Sequence, residues 1–343
     1  MNIPQTIRER RTIRKFNTTP VAPELVVSLL NDAVNLYEDK GTCRWRCLYA
    51  GTPESRHRLV ESMMTKMKEN RFVKLMPSKM IDFFIKRVTE IPAHLIFIAE
   101  SASDRRQSDE NYAAVCSVMQ NFQLLGWECG LGALWDTDPM FQNESFLTEI
   151  GLQEGERFAG ILHIGYYDKA PRARRRTPAE QKWTAIGEGG KADVLQSARV
   201  RVSTQSILEV LNDAVWAPND GLREPWRFIY VSGSEAAGKL LDSYGNTSSS
   251  FLLIVAEHEE DPHKQEEDYA AICCLIQNVQ LLVKSRPWYA RRSIPEWIYD
   301  LDQCKVFGIQ PEERIVAVLE LGENDRSLQS ESSPPPLLNI THL

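Results

Sequence analysis

The chain has 343 residues, 43% of them apolar and 25% charged, with a formal net charge of −7. That is the balance of a soluble protein long enough for two domains, and without a dominant basic face it argues against nucleic acid as a partner. No apolar run approaches the roughly 20 residues of a membrane helix, and the opening MNIPQTIRERRTIRKF lacks the apolar stretch of a signal peptide, so a cytoplasmic location is expected.

The first feature along the chain is RERRTIRKF (8–16), which gathers Arg8, Arg10, Arg11 and Arg14 around Thr12. Guanidinium forks beside a hydroxyl suit a phosphate monoester, although a solvated basic helix end reads the same way from charge alone. Residues 23–37 carry helical apolar spacing. WRCLYA (45–50) alternates as a strand, and HLIFIAE (94–100) is a near-continuous apolar run of buried-strand type. Between these, residues 62–90 mix apolar and basic side chains at helical spacing, as either a lid over a ligand or a hairpin extending the core would. Lys66, Lys68, Lys74, Lys86 and Arg87 there could attract an anionic dinucleotide.

Residues 111–127 read as a long helix with an apolar stripe. In CGLGALW (129–135), Gly130 and Gly132 flank Leu131. Glycines at that point either let the backbone approach a planar ligand or simply cap the helix. FAGILHIGY (158–166) is a strand, and RARRRTP (172–178) brings four more arginines, Arg174 and Arg176 among them. A helix over 204–217 leads into WAPNDGLREPWRF (216–228). There Pro218, Asn219, Asp220 and Gly221 make a rigid connection that contacts a ligand or merely turns tightly. The remaining elements are the strands WRFIYVS, FLLIVAE and IVAVLELG and a helix over 268–284. The tail over 326–343, with SESSPPP, is expected to be flexible. None of the seven cysteines forms a CxxC pair and no His/Cys spacing suits zinc, so structural thiols and no metal are expected; Cys43 and Cys47, flanking Trp45, leave a redox reading open.

Several of these elements occur twice. LNDAV at 30–34 recurs at 211–215, an offset of 181, and CRWRCLYAG (43–51) lies over EPWRFIYVS (224–232) in the same register. At an offset of 157, NYAAVCSVMQNFQLL (111–125) matches DYAAICCLIQNVQLL (268–282) at nine of fifteen positions. IGLQEGERFAGILHIG (150–165) then lies over FGIQPEERIVAVLELG (307–322). The chain is a tandem duplication whose second copy lacks 24 residues, and it divides at 1–187 and 188–325 before the 326–343 tail.

Taken in order, RRTIRKF, GLGALW, GILHIGY followed by RRRTP, APNDGLREPWRF and the DYAA…QN…LL helix resemble the motif set of the FMN-dependent nitroreductase family. The resemblance implies an α+β, nitroreductase-like three-layer fold in two tandem copies forming an internal pseudodimer. It implies FMN as cofactor, with NAD(P)H and a small organic acceptor as partners in ping-pong hydride transfer. Arg10, Arg11 and Thr12 fall on the family's N-terminal phosphate-binding segment, with Arg14 beside the flavin N1–C2 edge. Gly130, Leu131 and Gly132 fall on the segment whose amides face N5 and O4. Arg174 and Arg176 match further phosphate-binding positions, and Pro218, Asn219 and Asp220 match the loop that a second subunit lays on the same flavin. No side chain is nominated as an acid or base.

Each copy lacks what the other keeps. Arg10, Arg11, Thr12 and Arg14 fall on Lys191, Ala192, Asp193 and Leu195, and GLGALW falls on PWYARR (287–292). Conversely, NLYEDKGTCRW stands in the first copy where the second has WAPNDGLREPW. A single composite site, in a monomeric chain, is the reading this complementarity favours. Leu222 and Glu224 depart from the Asn and Gln often found in the family's loop. The competing expectations are a flavin-free scaffold protein, or the same fold running oxidase, dehydrogenase, dehalogenase or flavin-fragmenting chemistry.

Overall fold

The computed structural model describes residues 2–37, 43–67, 77–138, 141, 143–187, 202–232, 250–323 and 340–342. Its helices are α1 (Ile3–Glu9), α2 (Pro23–Asn35), α3 (Pro53–Met67), α4 (Ser78–Thr89), α5 (Arg105–Glu128), α6 (Glu144–Glu149), α7 (Thr204–Ala214), α8 (Pro262–Val283) and α9 (Leu301–Lys305). Its strands are β1 (Trp45–Ala50), β2 (Ala93–Glu100), β3 (Leu131–Asp136), β4 (Glu156–Tyr166), β5 (Trp183–Ile186), β6 (Trp226–Ser232), β7 (Ser250–Ala256), β8 (Trp288–Ser293), β9 (Arg314–Glu323) and β10 (Ile340–His342). Among the described residues no helix is long and apolar enough to cross a membrane.

The chain forms two compact units, one of Glu9–Ala173 with Ser333–Leu343 and one of Asn2–Arg8 with Arg174–Ser332. The first holds a five-stranded sheet in the order β10-β1-β2-β4-β3, the second a sheet in the order β5-β6-β7-β9-β8. Both are mixed α+β architectures, with four antiparallel strands, the last two in crossed order, edged by one parallel strand. The units change over at 173/174, ahead of the 187/188 boundary read from the repeat, because β5 pairs with β6. The tail behaves likewise: Ile340–His342, expected to be flexible, form β10 beside β1, while residues 324–339 lie outside the described set. Each terminal strand satisfies main-chain donors and acceptors that a bare sheet edge would leave open.

The duplication is reproduced in detail. Cys47, Leu48 and Tyr49 pair with Ile340, Thr341 and His342, and Phe228, Ile229 and Tyr230 pair with Trp183, Thr184 and Ala185 in the equivalent register. The ladder slips between Phe97 and Ile98 in one sheet and between Ile254 and Val255 in the other. Arg46 bonds to Glu156 (2.6 Å) and to the Gly151 carbonyl, as Arg227 does to Glu313 (2.7 Å) and to that of Gly308. Asn121 and Asn278, fully buried on α5 and α8, donate to the carbonyls of Ala33 (2.9 Å) and Ala214 (3.1 Å). The shared Asn of the QN pair therefore ties helix to helix, satisfying a buried carbonyl near the end of α2 and α7.

Two apolar cores lie on the sheet faces. In the first unit Leu48, Ile96, Ile98 and Ile161 pack with Leu59, Val60, Met63 and Phe146. In the second, Ile229, Phe251, Leu253 and Val255 pack with Ile294, Ile298 and Phe307. β2 and β7 are buried on both sides, which explains their unbroken apolar runs. Cys47 is fully buried and burial pushes its thiol up, so it is no candidate for the redox role left open for it.

Candidate functional site

In the first unit, residues 10–17 run along β3. The Ile13 amide donates to the Ala133 carbonyl (3.0 Å), and Thr12 bridges to Ala133 in parallel. This brings the Arg10–Arg14 segment beside 131–133. Arg10 is 5% exposed, Arg11 donates from Nη1 to the Arg10 carbonyl (2.8 Å), and burial draws the Arg11 pKa down. Arg14 is exposed. Arg8 leaves the cluster: it belongs to the other unit, where it pairs with Asp213 of α7.

The glycines of CGLGALW have separate reasons. Gly130, at φ 75°, caps α5 and its amide donates to Trp127 (3.0 Å), so the helix-cap alternative holds for it. Leu131 and Gly132 open β3 rather than a loop. Gly132 pairs with Gly165, and a Cβ at 132 would stand 2.4 Å from Ile13 Cγ1 and 2.9 Å from Tyr167. A Cβ at 165 would meet Pro92 and Phe16. The two bare Cα positions thus let the N-terminal segment cross the sheet closely; the side chain against Gly132 is Ile13.

In the second unit, the arginine-rich segment meets the turn-rich loop. Arg174 is exposed, but Arg176 donates from Nε to the Val215 carbonyl (3.2 Å) and lies over the Trp216 ring. Pro218 and Asn219 are half-buried and Asp220 is exposed. Glu224 is only 5% exposed. Its carboxylate accepts from the Thr177 amide (3.0 Å), its carbonyl from Lys182 Nζ (2.7 Å), and its amide donates to Asn219 Oδ1 (3.2 Å). The residue that departs from the family pattern is the clamp of this loop, a role that nothing in its sequence context signals. Gly221, Leu222 and Glu224 have φ of 57°, 62° and 49°. For the two non-glycines such a conformation costs about 1–3 kcal/mol each, the kind of stored strain that gathers in ligand-contact loops. Lys191, Ala192, Asp193 and Leu195 lie outside the described residues.

Arg223 anchors the loop to α8, with Nη1 2.9 Å from Glu259 and Nη2 2.9 Å from Asp268 and 3.4 Å from Glu267. Asp268 stands where the first copy has Asn111, whose Oδ1 accepts from the Arg44 amide (3.1 Å). The residue equivalent to Arg44 is Pro225, which has no N–H to give, and a carboxylate taken up by Arg223 replaces that bond. Burial pushes the Asp268 pKa to about 6; Arg223 opposes this, while Glu259, Glu267 and Asp220 add to it. An acid whose pKa is raised on folding stabilises the fold while protonated, and that contribution disappears as pH rises from about 4 through 6. Asp268→Asn should therefore remove on the order of 2 kcal/mol of this pH dependence and melt above wild type at pH 7. Parallel wild-type and variant melting curves across pH 4–7 would contradict it.

The second copy fills the place that corresponds to the crossing. Tyr289, equivalent to Gly132, lies over Gly322, and its hydroxyl donates to Glu320 (3.4 Å). Arg291 bonds the same fully buried Glu320 through Nε (2.8 Å).

The first unit also holds a cavity of about 780 Å³ beside Arg14 and Phe16, on the Gly132–Gly165 face of the sheet. Its floor is Leu134, Asp136 and His163. α4, within the 62–90 stretch expected to be a lid or core extension, borders it through Phe83, Lys86 and Arg87. Lys86 reaches Glu90 at 3.7 Å. Lys68, Lys74 and the Lys66 side chain lie outside the described set.

Residues 7–166 match the profile of the nitroreductase family. The chain is 30% identical over 180 residues to "Putative NAD(P)H nitroreductase YfhC" of Bacillus subtilis (strain 168), covering 52% of this chain and 92% of that protein. A crystal structure of a nitroreductase-like family protein from Bacillus cereus is 37% identical, with a TM-score of 0.50, covering 55% of this chain and 97% of the other. Each relative thus corresponds to about half of this duplicated chain.

Proposed function

The chain belongs to the nitroreductase family, and from that premise we propose that it is an FMN-dependent oxidoreductase with one flavin site per chain. The observation that carries this reading is Arg10. A guanidinium at 5% exposure, in a segment fixed along β3 with Arg11 and Thr12, is chemically suited to a desolvated phosphate monoester. Arg174 and Arg176 would add to the phosphate grip. Arg14, the main chain of Gly130, Leu131 and Gly132, and the strained loop of Pro218, Asn219 and Asp220 would hold the ring. Bound there, FMN would supply hydride transfer from NAD(P)H to a small organic acceptor, a donor that similarity to the putative NAD(P)H nitroreductase YfhC supports. The chain's own contribution is to orient the cofactor and to neutralise its phosphate.

Anaerobic titration of FMN-loaded protein with NADPH, and separately with NADH, should bleach the flavin absorbance, and a nitroaromatic acceptor should restore it. A colourless protein whose melting temperature FMN does not raise would favour the scaffold reading instead. Light scattering should give one chain, 39.2 kDa, because the second copy stands in for the partner subunit of family homodimers.

A further inference from the structure

Among the described residues, the second unit does not repeat the polar floor of the first unit's cavity. The positions equivalent to Asp136 and His163 are Ser293 and Glu320, and Glu320 is taken up by Arg291 and Tyr289. α4 falls within the stretch where the second copy is 24 residues shorter. α4 thus borders the space on a segment for which the shorter second copy has no equivalent length, and the volume lies within the range of small-molecule sites.

Its floor is a polar chain. His163 Nε2 lies 3.4 Å from Asp136 Oδ2, and His163 Nδ1 lies 2.7 Å from His94 Nδ1. His94 is fully buried, and burial holds its pKa well below the ordinary imidazole value, so it is neutral. Both contacts are satisfied when one proton is shared between the two Nδ1 atoms and His163 Nε2–H donates to Asp136. Asp136, 28% exposed, is thereby held as a carboxylate facing the cavity. Arg14, Lys15 and Arg87 supply positive charge on the walls. Phe16 and Phe83 supply aromatic faces, and Phe83 stands 68% exposed, open to a ring stacked on it. Glu90 and Asp138 also line the space, so an anion is favoured only at the arginine side.

We propose that this cavity binds a small planar aromatic acid bearing a hydrogen-bond donor. Its anion sits at Arg14, Lys15 and Arg87, its ring between Phe16 and Phe83, and its donor on Asp136. The site does not depend on the flavin reading, with which it shares only Arg14.

The test is equilibrium binding to FMN-saturated protein of 6-hydroxy-2-naphthoate, 2-naphthoate and 2-naphthol, with flavin content measured in the same samples. The hydroxy acid should bind one site, and loss of either group should weaken binding about tenfold. Arg87→Ala should weaken both acids about tenfold and leave 2-naphthol unchanged; Asp136→Ala should make the two acids equal. Flavin content should stay constant throughout. Equal affinity for all three probes, or indifference to Arg87→Ala, would overturn the proposal, and so would displacement of FMN by the probe. Should Asp136→Ala fail to fold, exposed Phe83→Ala, expected to weaken all three probes, keeps the test decisive.

Discussion

Arg10→Ala weakens FMN binding by about 2–4 kcal/mol, roughly 30- to 1,000-fold, when flavin-free protein is titrated with FMN. The magnitude follows from burial: a guanidinium at 5% exposure meets a phosphate with little competition from water, so the charge-assisted bonds approach their desolvated strength. The segment is held independently of that side chain, by the Ile13–Ala133 hydrogen bond and the Thr12 bridge, so the loss should fall on binding more than on folding. Lys191→Ala, at the equivalent position, should change little, because Ala192, Asp193 and Leu195 offer no phosphate cluster there. Equal effects at the two positions would mean that the copies are not specialised.

Gly132→Val should destabilise the first unit at the crossing itself. Its Cβ would lie 2.4 Å from Ile13 Cγ1 and 2.9 Å from Tyr167 Cδ1, and Ile13 is 1% exposed with no room to retreat. Overpacking of this kind costs about 1–3 kcal/mol. Relief requires residues 12–14 to lift from β3, so FMN affinity should fall together with melting temperature. The second copy carries Tyr289 at this position, with its hydroxyl over Gly322 and bonded to Glu320, so there the space serves a side chain. A variant with wild-type melting temperature and wild-type FMN affinity would show that the close crossing is dispensable.

The repeat made most of the fold readable. Two fixed offsets carry β1 onto β6, β2 onto β7, β4 onto β9 and α5 onto α8, since strands buried on both faces keep unbroken apolar runs in both copies. β5 and β10 escaped notice for the opposite reason. WTAI and ITH are short parallel edge strands with little burial to impose a pattern, and pairing with β6 and β1 is what makes them strands. At the site, the arginine segment and the turn-rich loop stand out by residue type. The close crossing at Gly132 does not, because that a bare Cα there meets Ile13 depends on tertiary packing. Glu224 and the His94–His163–Asp136 chain were also silent: a lone His in a buried strand, or a Glu before Pro225, carries no local signature of its partners.

Flavin stoichiometry tests the central claim most directly. Protein saturated with FMN, freed of excess cofactor and denatured to release it, should yield one FMN per 343-residue chain. Arg10, Arg11, Thr12 and Arg14 occur in one copy and the Pro218–Asp220 loop in the other, so one full complement exists per chain. In sequence, the second copy has Lys191, Ala192, Asp193 and Leu195 at the corresponding positions, without the arginine cluster and with a like charge to a phosphate. Two flavins per chain would contradict the single composite site, and none would contradict the assignment of FMN altogether.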